Sequence, residues 1–219
     1  MGDRPDGHTG VGAERLLARA LAVATVLTVI LAGGAWGADG SQRLPRVAPG
    51  KLLPSARGLM LGTTTKPQLL ARWGPATRCA SIVHSCVWVV GLGKNFFPEP
   101  GGVSDSMTVV FHRTTKRAST LSLASSNWLK SRLGGWKLPG GVGVGSAYPA
   151  LQRAFPTLHW SSGISTMREG SVWIVPRYEY AGSVYRLLFS VDAGAARAAS
   201  GHVFGVDIVR LTEPAPDPG

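Results

Sequence analysis

The chain is poor in acidic residues, and this shortage restricts the chemistry it can perform. Its 219 residues include 12 Asp and Glu against 23 Lys and Arg, which gives a formal net charge of +11. A catalytic site needs a nucleophile, a base and an orienting acid within reach of one another. The sequence has no Gly-x-Ser-x-Gly elbow, no His-Glu-x-x-His and no paired-cysteine metal spacing. We therefore predict no catalytic residues, no metal and no cofactor.

Cysteine is nearly absent too, since Cys79 and Cys86 are the only two. In an oxidising compartment an isolated pair of this kind forms a disulfide. Closing so small a loop stabilises a fold by roughly 2–3 kcal/mol on the chain-entropy model. The alternative is metal binding, which needs further ligands, and His84 is the only candidate nearby. We predict the disulfide.

The first 37 residues have the parts of an export signal. A basic region precedes a charge-free apolar run at residues 20–31, and Ala35 and Gly37 occupy the −3 and −1 positions of a cleavage site. The apolar stretch at residues 20–36 is at the lower limit of what spans ~30 Å of hydrocarbon. No cysteine follows it, so there is no lipidation site. We expect a secreted or extracytoplasmic protein, or a membrane-anchored one if the signal is not cleaved.

The positive charge belongs to the part of the chain that follows the export segment. Residues 1–37 contain three basic and three acidic residues, so their removal leaves the net charge at +11. Because export separates the protein from nucleic acid, we expect no nucleic-acid partner. An exported cationic protein meets another exported or envelope protein, anionic envelope polymer or lipid headgroups. Arg113, Lys116 and Arg117 form a candidate basic patch in a turn, with ordinary solvated charge as the alternative.

An internal repeat is the strongest indication of architecture. Gly-Leu-Met-Leu-Gly-Thr at residues 58–63, followed by a helix pattern and Trp73-Gly74-Pro75, returns about 80 residues later. The second copy is Gly-Val-Gly-Val-Gly-Ser at residues 141–146, a similar pattern and Phe155-Pro156. It lacks the Lys-Ser/Thr of a phosphate-binding loop, so we interpret the glycines as tight entries into helices. Thr65 and Ser146 are the candidate caps of the two helices.

Strand patterns follow each helix. Runs rich in Val, Ile, Tyr and Phe between Gly, Pro, Ser and Asp predict hairpins. We predict strands at 80–83, 86–90, 107–112 and 119–123, and again at 158–160, 172–175, 177–180, 184–191 and 203–211. The fold class is α+β, with two tandem units that each pack a short helix or helix pair on an antiparallel sheet. The predicted organisation is a linker at 38–56, repeats at 57–135 and 136–212, and a disordered tail at 213–219.

These motifs resemble a known module. Gly-x-x-Leu-Gly-Thr, a short helix, Trp-Gly-Pro and following hairpins look like the helix-plus-sheet module of the β-lactamase inhibitory protein (BLIP) family, which has two in tandem. The SmpA/OmlA group of outer-membrane assembly lipoproteins has one such module. The resemblance covers nearly all of residues 58–211, and the cysteine pair after the first helix matches where the inhibitory family places one. The second unit departs from the pattern, since it has no cysteines and no glycine before Pro156.

The resemblance implies a binding protein that inhibits or sequesters another exported protein. Aromatic residues are the preferred anchors of protein interfaces. The candidate binding residues are His84, Trp88, Trp160, Trp173, Tyr178 and Tyr180, with core packing as the alternative for the aromatic ones. We expect a non-enzymatic protein that acts through a free sheet face and adjoining loops, including the Cys79–Cys86 hairpin, as an inhibitor or scaffold. A basic protein that binds anionic envelope polymer is the alternative, and an unrecognised hydrolase a distant one.

Overall fold

Eight β-strands form one antiparallel sheet in the computed structural model, which describes residues 42–82, 84–91, 103–165, 170–193 and 195–211. The strands are β1 (Arg78–Ala80), β2 (Ser85–Val90), β3 (Asp105–Phe111), β4 (Ala118–Ser125), β5 (His159–Ser165), β6 (Gly170–Tyr180), β7 (Ser183–Val191) and β8 (Val203–Arg210). Their order across the sheet is β1-β2-β3-β4-β8-β7-β6-β5. The predicted export segment at 1–37 and the predicted tail at 213–219 lie outside the described residues.

The α+β class is confirmed, with two short α-helices in the described part of the chain. Helix α1 (Lys66–Trp73) begins after Thr65, whose backbone N–H donates to Oε1 of Gln68 at 2.9 Å. Helix α2 (Tyr148–Ala154) begins after Ala147, one residue later than its candidate cap Ser146. The Ser146 hydroxyl instead accepts the backbone N–H of Gly143 at 3.0 Å, so the glycine turn before the helix occupies it.

The two sheets predicted for two separate units are one continuous sheet. Strand β8, the last in the chain, lies at the centre and pairs with β4 on one side and β7 on the other. The strands predicted at 172–175 and 177–180 are likewise one strand, β6. A register shift between Val175 and Tyr178 accommodates Pro176 without ending the strand.

Both helices pack on the same face of the sheet. Trp73 at the end of α1 contacts Trp88 of β2 with ring centroids 5.2 Å apart, and Phe155 after α2 contacts Phe189 of β7 at 5.4 Å. Leu52, Leu53 and Ala56 are buried in this core, so the segment predicted as a linker supplies core residues. The strand residues of this face include Cys86, Trp88, Met107, Val109, Leu121, Leu123, Leu187, Phe189, Val206 and Ile208. Their alternation assigns the residues between them to the opposite face.

The repeated glycine motifs make equivalent hydrogen bonds. In the first copy the N–H of Gly62 donates to the carbonyl of Ala118 at 2.6 Å. In the second copy the N–H of Gly145 donates to the carbonyl of Val203 at 2.7 Å. Each motif therefore attaches the entry of its helix to the first residue of a central strand, β4 or β8.

Within the part of the chain that the structure describes, no helix is long and apolar enough to cross a bilayer.

Candidate functional site

The predicted disulfide joins Cys79 of β1 to Cys86 of β2. The two residues are direct partners in the strand register, with Cα atoms 4.0 Å apart, so the bond closes the β1–β2 hairpin. The turn of this hairpin carries Ile82, whose side chain is 89% exposed. His84 lies in the same turn and is half-buried, and its carbonyl accepts the backbone N–H of Phe111 at 2.8 Å. The hairpin therefore displays the apolar side chain of Ile82 on a covalently closed turn.

Strand register brings several turns to one end of the sheet. Ser85 of β2 pairs with Val110, Val110 with Thr120, Thr120 with Val209, and Val209 with Arg186. Immediately beyond this row lie the β1–β2, β3–β4 and β6–β7 turns and the end of β8. We name this region the hairpin end, and define it as residues 81, 82, 84, 112–117, 177–186 and 210.

The hairpin end collects basic side chains from three separate parts of the chain. The predicted basic residues Arg113, Lys116 and Arg117 are all exposed in the β3–β4 turn. The register adds the exposed Arg177 and Arg186, and the half-buried Arg210 at the end of β8. Glu179 is the one acidic residue in this set, and it pairs with Arg177 at 2.9 Å. The surface is therefore strongly cationic.

Arg177, Arg186 and Arg210 were not found from the sequence. They are isolated along the chain, and only the pairing of β8 with both β4 and β7 brings them beside residues 113–117. Period-two alternation within β7 identifies Arg186 as pointing away from the helices, but it does not indicate which strand lies beside it.

Three turns of the hairpin end each contain a non-glycine residue with positive φ. The values are 46° for His84, 57° for Lys116 and 50° for Ala181. Residues other than glycine rarely occupy this left-handed region. Each one in it lowers the stability of the fold by of order 1 kcal/mol. Such residues cluster where a turn shape is needed for function.

The predicted aromatic anchors do not lie together on the face opposite the helices. Trp88 is fully buried, and its Nε1–H donates to the carbonyl of Gly74 at 3.4 Å. Trp88 is therefore a core residue, because strand alternation turns it towards α1. Trp173 lies 4.6 Å from Tyr148 of α2, between ring centroids.

Tyr178 and Tyr180 also lie on the helix side. Tyr178 meets Phe155 edge to face at 5.4 Å, and Tyr180 stacks on Tyr178 at 6.0 Å. Burial raises the pKa of Tyr178, and the neighbouring Tyr180 adds to the shift. Trp160 lies on the edge strand β5, opposite Trp173 of β6, and is 54% exposed. Trp160 is therefore the predicted aromatic residue best placed to contact a partner.

The sheet face opposite the helices has one acidic residue at its centre. Asp207 of β8 lies directly opposite Ser122 of β4 and Leu188 of β7, and Thr108 and Ile174 continue the row outward. Burial raises the pKa of Asp207, and the Ser122 hydroxyl lowers it only in part. Desolvation thus opposes the charged form of this carboxylate.

Two other carboxylates have structural roles. Asp105 is fully buried and accepts the Ser131 hydroxyl at 2.8 Å and the backbone N–H of Arg132 at 2.7 Å. Asp192 accepts the backbone N–H of His202 at 2.6 Å and the indole N–H of Trp128. Among the described residues, no group of three or more His, Cys, Asp or Glu side chains is arranged to hold a metal ion.

Comparison of the chain with protein-family models, curated proteins and solved structures gives no match. The resemblance of residues 58–211 to the BLIP and SmpA/OmlA modules therefore depends on the sequence motifs.

Proposed function

We propose that this chain is a non-enzymatic, extracytoplasmic binding protein whose protein partner docks on the hairpin end. One observation carries the proposal. The register places the disulfide-closed turn that displays Ile82 beside the exposed cations of residues 113–117, and Arg186 lies further along the same end of the sheet. An exposed apolar side chain next to charged ones is a composition typical of an interface that combines an apolar anchor with polar contacts.

The disulfide favours binding by this turn. A turn held in one conformation loses less entropy when a partner immobilises it, and this preorganisation adds to affinity. The positive φ values of His84, Lys116 and Ala181 support the same conclusion, since the fold retains three unfavourable conformations at this end.

An extracytoplasmic location is supported by the disulfide, which persists in oxidising compartments, and by the export pattern of residues 1–37. We propose further that residues 57–135 and 136–212 are tandem modules of the BLIP-like type. The matching hydrogen bonds of Gly62 and Gly145 support this, as does a strand order whose two halves mirror each other. The partner is then another exported or envelope protein, which the chain inhibits or assembles.

The test is capture followed by mapping. The oxidised protein, used as bait in culture fluid and envelope fractions, is expected to retain a protein in stoichiometric amount. Backbone amide exchange of the complex is expected to show protection at residues 81–84 and 112–117. Protection confined to the backbone amides of α1 and α2 would contradict the proposal.

Anionic envelope polymer or lipid headgroups are the second candidate, favoured by the cations of the hairpin end. Association with such material depends on charge and weakens steeply with salt. Charge reversal at Arg113 and Lys116 would abolish it, whereas an apolar-to-polar change at Ile82 would leave it intact. Sedimentation with purified cell-wall polymer or anionic vesicles, with increasing salt, separates this candidate from protein binding.

A further inference from the structure

We propose that a second cationic surface, formed by α1 and the segment before it, rests on an anionic lipid bilayer when residues 20–36 anchor the chain. We name it the α1 surface, and define it as Arg46, Lys51, Arg57 and Arg72, all of which are exposed. It shares no residue with the hairpin end. The proposal does not depend on the protein partner proposed there.

The first argument is charge of a single sign. Residues 40–98 contain eight Lys and Arg and no Asp or Glu. Arg177–Glu179 is the ion pair found among the described residues, so the four cations of the α1 surface have no carboxylate within 4 Å in that part of the chain. Ordinary soluble surfaces intersperse both signs of charge. A surface that carries cations alone attracts an anionic one.

The second argument is that the fold gathers these cations into one area. The Arg72 side chain, near the end of α1, lies against Gly58, where an added Cβ would be 2.0 Å from Nη1 of Arg72. The Arg46 side chain lies against Gly74, where an added Cβ would be 2.8 Å from Cδ of Arg46. Gly58 directly follows Arg57 in the chain, and Gly74 directly follows α1. The three arginines are therefore neighbours on one surface.

The cations of the α1 surface are also held in place despite their mutual repulsion. Arg57 donates from Nε to the carbonyl of Ala48 at 3.1 Å and from Nη2 to that of Pro49 at 2.8 Å. Lys51 is the partner of Lys137 in a parallel β-bridge. Like charges in neighbouring strand positions destabilise a fold. An anionic surface placed against them would relieve this repulsion.

The third argument is where the apolar stretch lies in the chain. Five residues, 37–41, separate the stretch at residues 20–36 from residue 42, the first that the structure describes. A fully extended chain of this length spans about 20 Å. Arg46 follows four residues later, and its backbone N–H donates to the carbonyl of Trp73 at 2.9 Å. A chain anchored by residues 20–36 therefore keeps the α1 surface close to the lipid headgroups.

The same connection favours lipid over other anionic material. Guanidinium groups form paired hydrogen bonds with phosphate, and a bilayer surface presents many phosphates side by side. A juxtamembrane cluster of cations is attracted to such a surface over about a Debye length. A soluble anionic polymer offers the same charge, but no segment of the chain would hold it beside the α1 surface.

The experiment uses the oxidised full chain, anchored by residues 20–36 in lipid nanodiscs. One set of discs contains phosphatidylcholine alone, and the other contains an equal mixture with phosphatidylglycerol. Acetylation by acetic anhydride, read by mass spectrometry, reports which lysines the lipid covers. Lys51 is expected to react at least about threefold more slowly in the anionic discs, because headgroups cover the α1 surface. The exposed Lys116 and Lys130 are expected to react alike in both. Equal rates for Lys51 in the two sets would overturn the proposal.

Two double variants with the same loss of charge test which surface is responsible. Arg46→Gln with Arg72→Gln removes two cations from the α1 surface, and is expected to restore the rate of Lys51 in anionic discs to that in neutral discs. Arg113→Gln with Lys116→Gln removes two cations from the hairpin end, and is expected to leave Lys51 protected. Protection of Lys51 that survives the first change, or that is lost in the second, would contradict the proposal.

Anionic polymer and the hairpin end are tested in the same discs. If purified anionic cell-wall polymer protects Lys51 in neutral discs as well as anionic lipid does, the surface binds polymer and the proposal is wrong. Ile82→Asp is expected to leave the protection of Lys51 unchanged. Failure of binding at the hairpin end is therefore distinguishable from failure here.

Discussion

The guanidinium of Arg210, at the end of β8, donates from Nη1 to the backbone carbonyl of Leu61 at 2.7 Å. The acceptor belongs to the first glycine motif and the donor to the last strand. Arg117 reaches the same loop, since its Nη1 donates to the carbonyl of Gly62 at 3.4 Å. Two arginines of the hairpin end therefore hold the loop that leads into α1.

Gly62→Ala tests how tightly Arg210 holds this loop. Gly62 has φ of 88°, and an added Cβ would lie 1.6 Å from Nη1 of Arg210. We expect a loss of about 2–3 kcal/mol in the free energy of unfolding, from backbone strain and from displacement of Arg210. Urea unfolding measures it.

Gly141→Ala is the matched control, because Gly141 has φ of 78° and its added Cβ meets nothing within 4 Å. Its expected cost is about 1 kcal/mol, from backbone strain alone. Equal costs for the two variants would show that the Arg210 contact does not constrain the loop.

Asp105→Ala is expected to destabilise the protein strongly. The change leaves the half-buried Ser131 hydroxyl and the N–H of Arg132 without their buried acceptor, at a cost of about 2–4 kcal/mol. Ser131→Ala removes one of the two donors and is expected to cost about 1 kcal/mol. Chemical unfolding followed by tryptophan fluorescence checks both, and a smaller loss in Asp105→Ala than in Ser131→Ala would refute the assignment.

Lys116→Gly is expected to separate stability from binding. Glycine adopts the φ of 57° found here without a steric penalty, so the free energy of unfolding should stay level or rise by up to about 1 kcal/mol. Binding to an acidic partner should weaken, because one cation of the hairpin end is lost. Thermal unfolding and a salt series of binding measurements report the two effects. A loss of both stability and binding would mean that the left-handed turn is not strained.

Asp207→Asn is expected to raise stability at neutral pH. The pKa of Asp207 is raised in the folded state by burial, so the folded protein holds this proton to higher pH than the unfolded chain does. The protonated Asp207 carboxyl contributes fully to stability below its pKa in the unfolded chain. This contribution is lost as pH rises through its pKa in the folded protein. In urea unfolding from about pH 3 to pH 7, the difference in the free energy of unfolding between Asp207→Asn and the unmodified protein should increase as pH rises. A difference that instead increases as pH falls would contradict the assignment.

The strands and the disulfide could be predicted from the sequence because both depend on local patterns. Runs rich in Val, Ile, Tyr and Phe between turn residues identified β2, β3, β4, β7 and β8 within two residues at each end, and the isolated cysteine pair indicated its own bond. Tyr178 and Tyr180 were correctly predicted to share a face, but alternation does not show which face the helices cover. The contacts of Phe155 show that it is theirs.

Features that depend on strand order could not be predicted. The pairing of β4 with β8 joins residues about 85 positions apart, and no local pattern encodes it. The addition of Arg186 and Arg210 to the basic patch depends on that pairing, as does the central position of Asp207 opposite Ser122. The burial of Trp88 depends on the packing of Trp73 against it.

The most direct test of the proposed binding surface compares two exposed apolar residues. Ile82 is 89% exposed at the hairpin end, and Leu129 is 74% exposed beyond the opposite end of β4. Affinity of the captured partner for Ile82→Asp and Leu129→Asp is measured by titration calorimetry. The proposed surface predicts a loss of at least about tenfold for Ile82→Asp and little change for Leu129→Asp. Unchanged affinity for Ile82→Asp, or an equal loss in both variants, would contradict it.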